Sequence, residues 1–243
     1  MSEKIWHLKR CHLFEKLSPD ELAKIESKAR VRKFARKGLV YLPADEADAV
    51  LLLASGRVKL CSFTPDGKQA ILAFIEPGEL FGELAIIDTA DREEFAEAVE
   101  PSLVILIARD EIERLMETHP SVTLGITRLL GLRRRRIERR LKSLLFRSNR
   151  DRLVHLLLEL AEQYGATTAE GVRIQIKLSH QDLAGLIGST RESVTVALGE
   201  LQAAGHVKLA RRQILLKGLD SLAQSVQTEP PRLPAAQGQV IGR

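Results

Sequence analysis

The residues with the clearest chemical purpose lie between positions 179 and 212. In Thr190-Arg191-Glu192-Ser193-Val194-Thr195, the helical phase puts Arg191, Glu192 and Thr195 on the exposed side. An arginine fork matches a guanine edge or a phosphate, and a glutamate accepts from a cytosine amino group. A carboxylate facing phosphates is repelled, so Glu192 favours base edges. Arg211 and Arg212, in a turn between two short apolar runs, suit phosphate contact. Six arginines crowd 133–136, 139 and 140, a dense basic run on a predicted helix. His7, Cys11 and His12 are metal- or haem-ligand types, although three such residues near an N-terminus are more often incidental. No Ser/His/Asp set and no metal-spaced acid cluster stands out, so the sequence gives no case for an enzyme or for a metal centre.

The elements that must position these groups follow from local patterns. Ala184 sits where two helices cross and only a small side chain fits. Gly188, four residues later, supplies a turn with positive φ, and Val194, six further on, returns to the buried face with Leu183 and Ile187. Ser179 or His180 opens the first helix, and Ser189 or Thr190 caps the second. This is helix-turn-helix spacing. Val207–Leu209 and 213–216 flank Ala210-Arg211-Arg212 as a hairpin, which makes a wing.

Upstream, Ser18-Pro19-Asp20-Glu21 reads as a capping box before a short helix. From about Val31 to Ala108, short apolar runs alternate with Gly and Pro. Strands are expected at 39–42, 50–54, 57–63, 69–75, 95–99 and 103–107, with Thr64-Pro65-Asp66-Gly67 as a hairpin turn. Many short strands with turn signals predict a sandwich or roll. Asp110 is expected to cap a helix through Thr118, with His119 at the start of the next. A long helix then runs from about Ser121 to Phe146, and Ile126, Leu130, Ile137, Leu141 and Leu144 form a seam along it. A seam of this length after a β-domain predicts pairing of two chains. Asn149 to Tyr164 is a further helix with Leu153, Leu156, Leu157 and Leu160 on one face and Gly165 at its end, followed by a strand over 171–178. From Gln227 the chain is Pro-, Gln- and Gly-rich, and a disordered tail is expected.

Composition sets the outer bounds. The chain has 243 residues, 37 Lys+Arg against 32 Asp+Glu and a net charge of +5, which suits two domains and permits a polyanion partner. Aromatics make up 4 %, too few for a base-stacking single-strand surface. Two cysteines exclude a four-cysteine zinc site, and Cys61 reads as core packing. The apolar runs fall short of the roughly 18 residues a membrane span requires, and the N-terminus lacks an apolar signal core. A cytoplasmic location with no membrane partner is expected.

Three stretches resemble one family. They are Pro77-Gly78-Glu79-Leu80-Phe81-Gly82-Glu83-Leu84-Ala85, the long helix ending in Phe146, and Leu178-Ser179-His180-Gln181-Asp182-Leu183-Ala184 through Val194. Over roughly residues 10–220 the chain resembles the cAMP receptor protein/FNR (Crp/Fnr) regulators of bacteria. The resemblance implies an α+β chain. Residues 1–118 would form a cyclic-nucleotide-binding-like β-roll (jelly roll), 119–147 a dimerisation helix, and 148–226 a winged helix-turn-helix, with 227–243 as the tail. It implies a homodimer on a palindromic double-stranded DNA operator, with RNA polymerase as a further partner. DNA contacts would come from Ser179, Gln181, Ser189, Thr190, Arg191, Glu192, Thr195, Arg211 and Arg212.

Departures from the family pattern concern the effector. Cyclic-AMP-binding members place Arg-Ser or Arg-Thr ten residues after the cassette glutamate. Counted from Glu83, that pair is Glu93-Glu94, and Arg92 is one place early. A one-residue slip in an extended segment turns a side chain to the opposite face; a loop could absorb the slip, but a glutamate at the phosphate position would repel the ligand at close range. Where such members place Thr-Ser on the long helix, this chain has Ile137 and Glu138. The cassette-equivalent set is therefore Gly82, Glu83, Leu84, Ala85, Arg92, Glu93, Glu94, Arg133, Ile137 and Glu138. The expectation is no cofactor and no tight cAMP binding. Three readings of the arginine run stay open: Asp91, Glu93 and Glu94 pair with Arg133 or Arg136 to set the dimer, the arginines take another anionic effector, or they form a solvated stripe. Iron–sulfur sensing of the FNR type needs four cysteines, and Cys11 and Cys61 exclude it within one chain. The family's usual recognition helix has an arginine where Val196 stands, so a shifted operator is expected. The alternative reading is a cyclic-nucleotide- or other anionic-effector-binding module with protein-contact output.

Overall fold

The computed structural model describes residues 3–64, 67, 69–87, 91–210 and 213–234. The chain divides into two compact units, Met1–Arg136 and Ile137–Arg243.

Among the described residues the first unit holds α1 (Glu3–Arg10), α2 (Pro19–Lys28), eight strands, α3 (Leu84–Ile87), α4 (Arg109–Thr118) and the start of α5 (Pro120–Phe146). The strands are β1 (Arg30–Phe34), β2 (Leu39–Tyr41), β3 (Ala49–Ser55), β4 (Val58–Phe63), β5 (Gln69–Ile75), β6 (Leu80–Phe81), β7 (Phe95–Ala98) and β8 (Ser102–Ala108). They form two antiparallel sheets, ordered β1-β8-β3-β6 and β2-β7-β4-β5. Strand β3 shows why the layers stack as they do. Successive side chains of a strand point to opposite faces. Val50, Leu52 and Ala54 join Leu8, Phe14, Leu22 and Ile25 beneath the helices. Leu51 and Leu53 face the second sheet with Val58, Leu60 and Phe81. A strand buried on both faces reads as one continuous apolar run, as 50–54 does.

The predicted capping box at Ser18 and Glu21 is present, with Pro19 opening α2. Gly67 closes the predicted hairpin by donating its N–H to the Thr64 carbonyl at 2.8 Å, whereas Pro65 and Asp66 lie outside the described residues. Several expectations are corrected. β1 and β6 were not foreseen: β1 is an edge strand bearing Arg30, Arg32 and Lys33, and β6 has two residues. The N-terminal segment is helical, with Leu8 fully buried against the sheet. Asp110 does not cap α4. Ala108 holds that position without a side-chain bond, and the Asp110 carboxylate accepts the Glu111 N–H at 2.8 Å inside the first turn. His119 is the C-cap of α4 and also stands at the start of α5: α5 begins at Pro120, and the His119 carbonyl accepts the Val122 N–H at 2.9 Å.

Helix α5 runs to Phe146 as predicted, but its seam is divided. Ile126 is buried in the core of the first unit with Val122, and Leu130 packs against that core. Ile126 therefore leaves the seam, because α5 begins by covering its own β-roll. Ile137, Leu141 and Leu144 remain exposed, Ile137 at 66 %.

The second unit contains the rest of α5, then α6 (Asn149–Tyr164), β9 (Gly165–Thr168), β10 (Gly171–Ile174), α7 (His180–Ile187), α8 (Arg191–Ala203), β11 (Val207–Ala210), β12 (Gln213–Leu216) and α9 (Leu219–Ser225). The four strands form one antiparallel sheet ordered β11-β12-β10-β9. Helix α6 packs on α7, α8 and α9, so its buried surface is wider than the predicted stripe. Val154, Leu158 and Ala161 are buried with Leu153, Leu157 and Leu160, and Leu156 is half-buried. The predicted strand over 171–178 stops at Ile174. Gly165 ends α6 in an extended conformation and begins the unforeseen β9. A Cβ there would lie 2.8 Å from Val172 Cγ1, so close packing rather than a positive φ selects glycine. Beyond α9, residues 228–234 carry no helix or strand, and 235–243 of the predicted tail lie outside the described residues.

Candidate DNA-reading surface and effector cassette

The helix-turn-helix is built from caps and one turn. Ser179 caps α7 by accepting the Asp182 N–H at 3.1 Å, and the Asp182 carboxylate accepts the Ser179 N–H at 2.8 Å. Gly188 closes α7 in the left-handed region at φ 63°, as the spacing required. Thr190 caps α8 by accepting the Ser193 N–H at 3.2 Å. Leu183, Ala184, Ile187, Val194 and Leu198 are buried, all but Ile187 fully.

On the opposite side Gln181, Arg191, Glu192, Thr195 and Val196 are exposed together. Of the nine residues expected to touch DNA, these include four. Ser179 and Thr190 have their hydroxyls engaged as caps, and Thr190 is exposed as well. Ser189 is half-buried at the turn. Arg211 and Arg212 lie outside the described residues, between paired strands β11 and β12 whose last partners are Ala210 and Gln213. Two residues escaped the sequence reading. Arg152 of α6 donates to the Ile187 carbonyl at 2.9 Å, holding the turn from behind. His180 reaches Thr195 Oγ1 with Nδ1 at 2.8 Å. Neither carries a local signal, since both contacts join residues remote in sequence.

The cassette lies in the first unit. Gly82, Glu83 and Ala85 are buried and Leu84 is exposed. Arg92 faces inward and lies outside any strand, which is the second of the two outcomes left open for the slip. Its guanidinium lies 4.3 Å over the Tyr41 ring and donates to the Ala49 carbonyl at 2.6 Å. A Cβ at Gly82 would stand 2.5 Å from Arg92 Nη1. Glu93 lies outward and Glu94 inward. Glu93 is exposed, and Glu94 accepts the Tyr41 hydroxyl at 2.7 Å. Of the three open readings of the arginine run, pairing with Arg133 or Arg136 is met in part: Arg133 does pair with a carboxylate, but with one outside Asp91, Glu93 and Glu94. Asp91 is exposed, and the carboxylate that meets Arg133 is Glu83 of the cassette itself. Arg133 further donates to the Leu80 carbonyl at 2.7 Å. Glu83 Oε2 is buried with no hydrogen-bond partner among the described residues. Ile137 and Glu138 are exposed on α5.

His7 and Cys11 are buried, and the His12 side chain is fully exposed beside Glu15. The three do not converge, and burial pushes the Cys11 thiol up to about 11. Among the described residues no helix is long and apolar enough to cross a membrane.

Burial, and next to it the negative charge of Glu83, holds the Glu94 carboxyl above its ordinary range, against the lowering effect of the Tyr41 hydroxyl. A raised folded pKa favours the protonated form in the fold. The associated stability is therefore fully present below the ordinary glutamate value of about 4.3. It is lost as pH rises through the folded value. Glu94→Gln keeps an acceptor for Tyr41 and removes this loss. Urea midpoints read from Trp6 fluorescence should show a stability gain for the variant that grows from acid to neutral pH. A gain independent of pH would contradict the inward, partly desolvated carboxyl.

Two family models match the chain: the cyclic nucleotide-binding domain over residues 31–119 and the Crp-like helix-turn-helix domain over 151–225. A global nitrogen regulator of Synechocystis sp. is 31% identical over 196 residues, covering 80% of this chain and 87% of the relative. A cyclic AMP receptor protein of Thermus thermophilus is 31% identical over 202 residues, covering 83% and 90%. The solved structure of a CRP-family transcriptional regulator, also from Thermus thermophilus, superposes with a TM-score of 0.69 at 30% identity, covering 82% of this chain and 98% of that one. A β-roll with its cassette, a long following helix and a helix-turn-helix with its reading face exposed thus occur here in the order and over the lengths of those relatives, and the chain belongs to the Crp/Fnr family of DNA-binding transcription regulators.

Proposed function

We propose that the protein works as a homodimer that reads a palindromic operator with α8 and does so without cAMP. The observation that carries the reading is the exposed set Arg191, Glu192, Thr195 and Val196 on a helix whose N-terminus is fixed by Gly188 and Thr190. Arg191 suits a guanine edge and Glu192 a cytosine amino group. Arg211 and Arg212 of the wing add phosphate contacts. Pairing of two chains is supported by Ile137, Leu141 and Leu144, three exposed apolar side chains on one stripe of α5. In this reading residues 1–118 are the sensor, 119–147 the dimer helix, 148–226 the DNA-binding domain and 227–243 a tail. The protein is a cytoplasmic regulator rather than an enzyme, and RNA polymerase is its further partner.

Independence from cAMP rests on the cassette. Arg92 is engaged by the Ala49 carbonyl and Tyr41, Arg133 by Glu83, and Glu94 stands on the inward side near them. A phosphate entering there meets two occupied cations and two carboxylates at close range, where screening is poor. A cAMP titration giving a micromolar dissociation constant would sink this part. The reading as an effector module with protein-contact output leaves α7, α8 and the β11–β12 hairpin without a purpose. Binding of the purified chain to a selected duplex, with no effector added and across a salt series, tests the whole. Glu192→Ala should relax base preference by about 1–3 kcal/mol at one position while leaving the salt slope unchanged. Unaltered base preference would remove Glu192 from base reading.

A further inference from the structure

The recognition helix has an organiser outside it. His180 is the first residue of α7, yet its Nδ1 lies 2.8 Å from Oγ1 of Thr195 on α8. The same hydroxyl donates to the Arg191 carbonyl one turn earlier, also at 2.8 Å. A threonine hydroxyl has a single proton. With that proton on the Arg191 carbonyl, Thr195 Oγ1 must accept from His180 Nδ1–H. Nδ1 is thereby the donor, and the protein holds the hydroxyl's proton and one of its two lone pairs.

We propose that His180 is a specificity-positioning residue: it holds the Thr195 hydroxyl against the protein, so that α8 offers DNA the methyl groups of Thr195 and Val196 rather than a hydroxyl. This rests on the reading of α8 as the operator-reading helix. Val196 is the next residue and is 62 % exposed. Two neighbouring apolar tips, after Arg191 and Glu192 in the first turn, match the 5-methyl of thymine, the one apolar group of the major groove. A free threonine hydroxyl donates or accepts and so accommodates several bases. A pinned one discriminates by the methyl alone.

The test uses the full chain and a duplex selected from a randomised pool. Deoxyuridine replaces thymidine, one position at a time, which removes only the 5-methyl. At the position read by Thr195 the wild-type chain should bind about fourfold more weakly, the effect of leaving one methyl unburied. His180→Ala should abolish that difference. Thr195→Val keeps the methyl groups and has no hydroxyl to pin, so it should retain the difference, and His180→Ala with Thr195→Val should restore it. A merely structural role for His180 predicts no restoration in the double variant, which overturns the proposal. So does a His180→Ala chain that still senses the methyl. If no duplex is enriched at all, the operator-reading function itself fails and takes this inference with it, whereas enrichment with unchanged deoxyuridine sensitivity in His180→Ala rejects the inference alone.

Discussion

Replacing Arg133 with alanine lowers the stability of the N-terminal unit by about 3–5 kcal/mol, the range for removing one partner of a buried ion pair. Glu83 is 3 % exposed and sits between Gly82 and the cassette helix α3. One of its carboxylate oxygens already lacks a partner among the described residues, and Arg133 meets the other. Without the guanidinium, a charge remains in a site with little water. The Leu80 carbonyl loses its donor at the same time. The single tryptophan, Trp6, lies in the same unit, so its fluorescence during urea unfolding reports this loss separately from the helix-turn-helix. Adding Glu83→Gln to Arg133→Ala should recover part of it, because a neutral amide costs less to bury than a carboxylate. A single variant within about 1 kcal/mol of the wild type would mean that water, not Arg133, satisfies Glu83.

Gly188→Val is the second large effect, and it falls on the DNA-reading unit. A β-branched residue at φ 63° incurs the left-handed penalty, and its Cβ would stand 2.9 Å from Leu144 Cδ2. Backbone strain and crowding together cost roughly 2–4 kcal/mol. The lower end applies if the Leu144 methyl rotates away. The turn also sets the angle between α7 and α8, and Arg152 holds its carbonyls. Duplex affinity should therefore fall with stability. Gly188→Asn, which tolerates the left-handed region, should keep most of both. Far-UV circular dichroism during unfolding and a duplex titration read the two effects. An unchanged midpoint for Gly188→Val would show that the turn relaxes without strain.

The helix-turn-helix was legible because its constraints are local. Caps act over three residues, the turn over one, and burial recurs at helical spacing, so Ser179, Gly188, Thr190 and Val194 each announce themselves. The β-roll was legible at the strands with apolar runs and invisible at β1 and β6. An edge strand of alternating cations and a two-residue strand have no pattern of their own, and partners distant in sequence define them. The cassette was read wrongly for a related reason. Counting residues from Glu83 fixed a position, but contacts to residues far away in sequence, Arg92 with Ala49 and Tyr41 and Glu94 with Tyr41, decide which side chains point inward. Arg92 and Glu94 therefore share the inner side, and Glu93 does not.

By itself the sequence determined the class of molecule. It specified a roll of short strands, a long helix, a capped helix-turn-helix and a reading face carrying Arg191, Glu192 and Thr195. Tertiary structure alone decided who pairs with whom. It assigned Arg133 to Glu83 and Glu94 to Tyr41, buried Ile126 in the roll, and joined His180 to Thr195. Helices and caps are short-range and are written in spacing. Ion pairs and shared hydroxyls depend on side chains that folding brings together across 15 to 53 residues, and no local pattern records them.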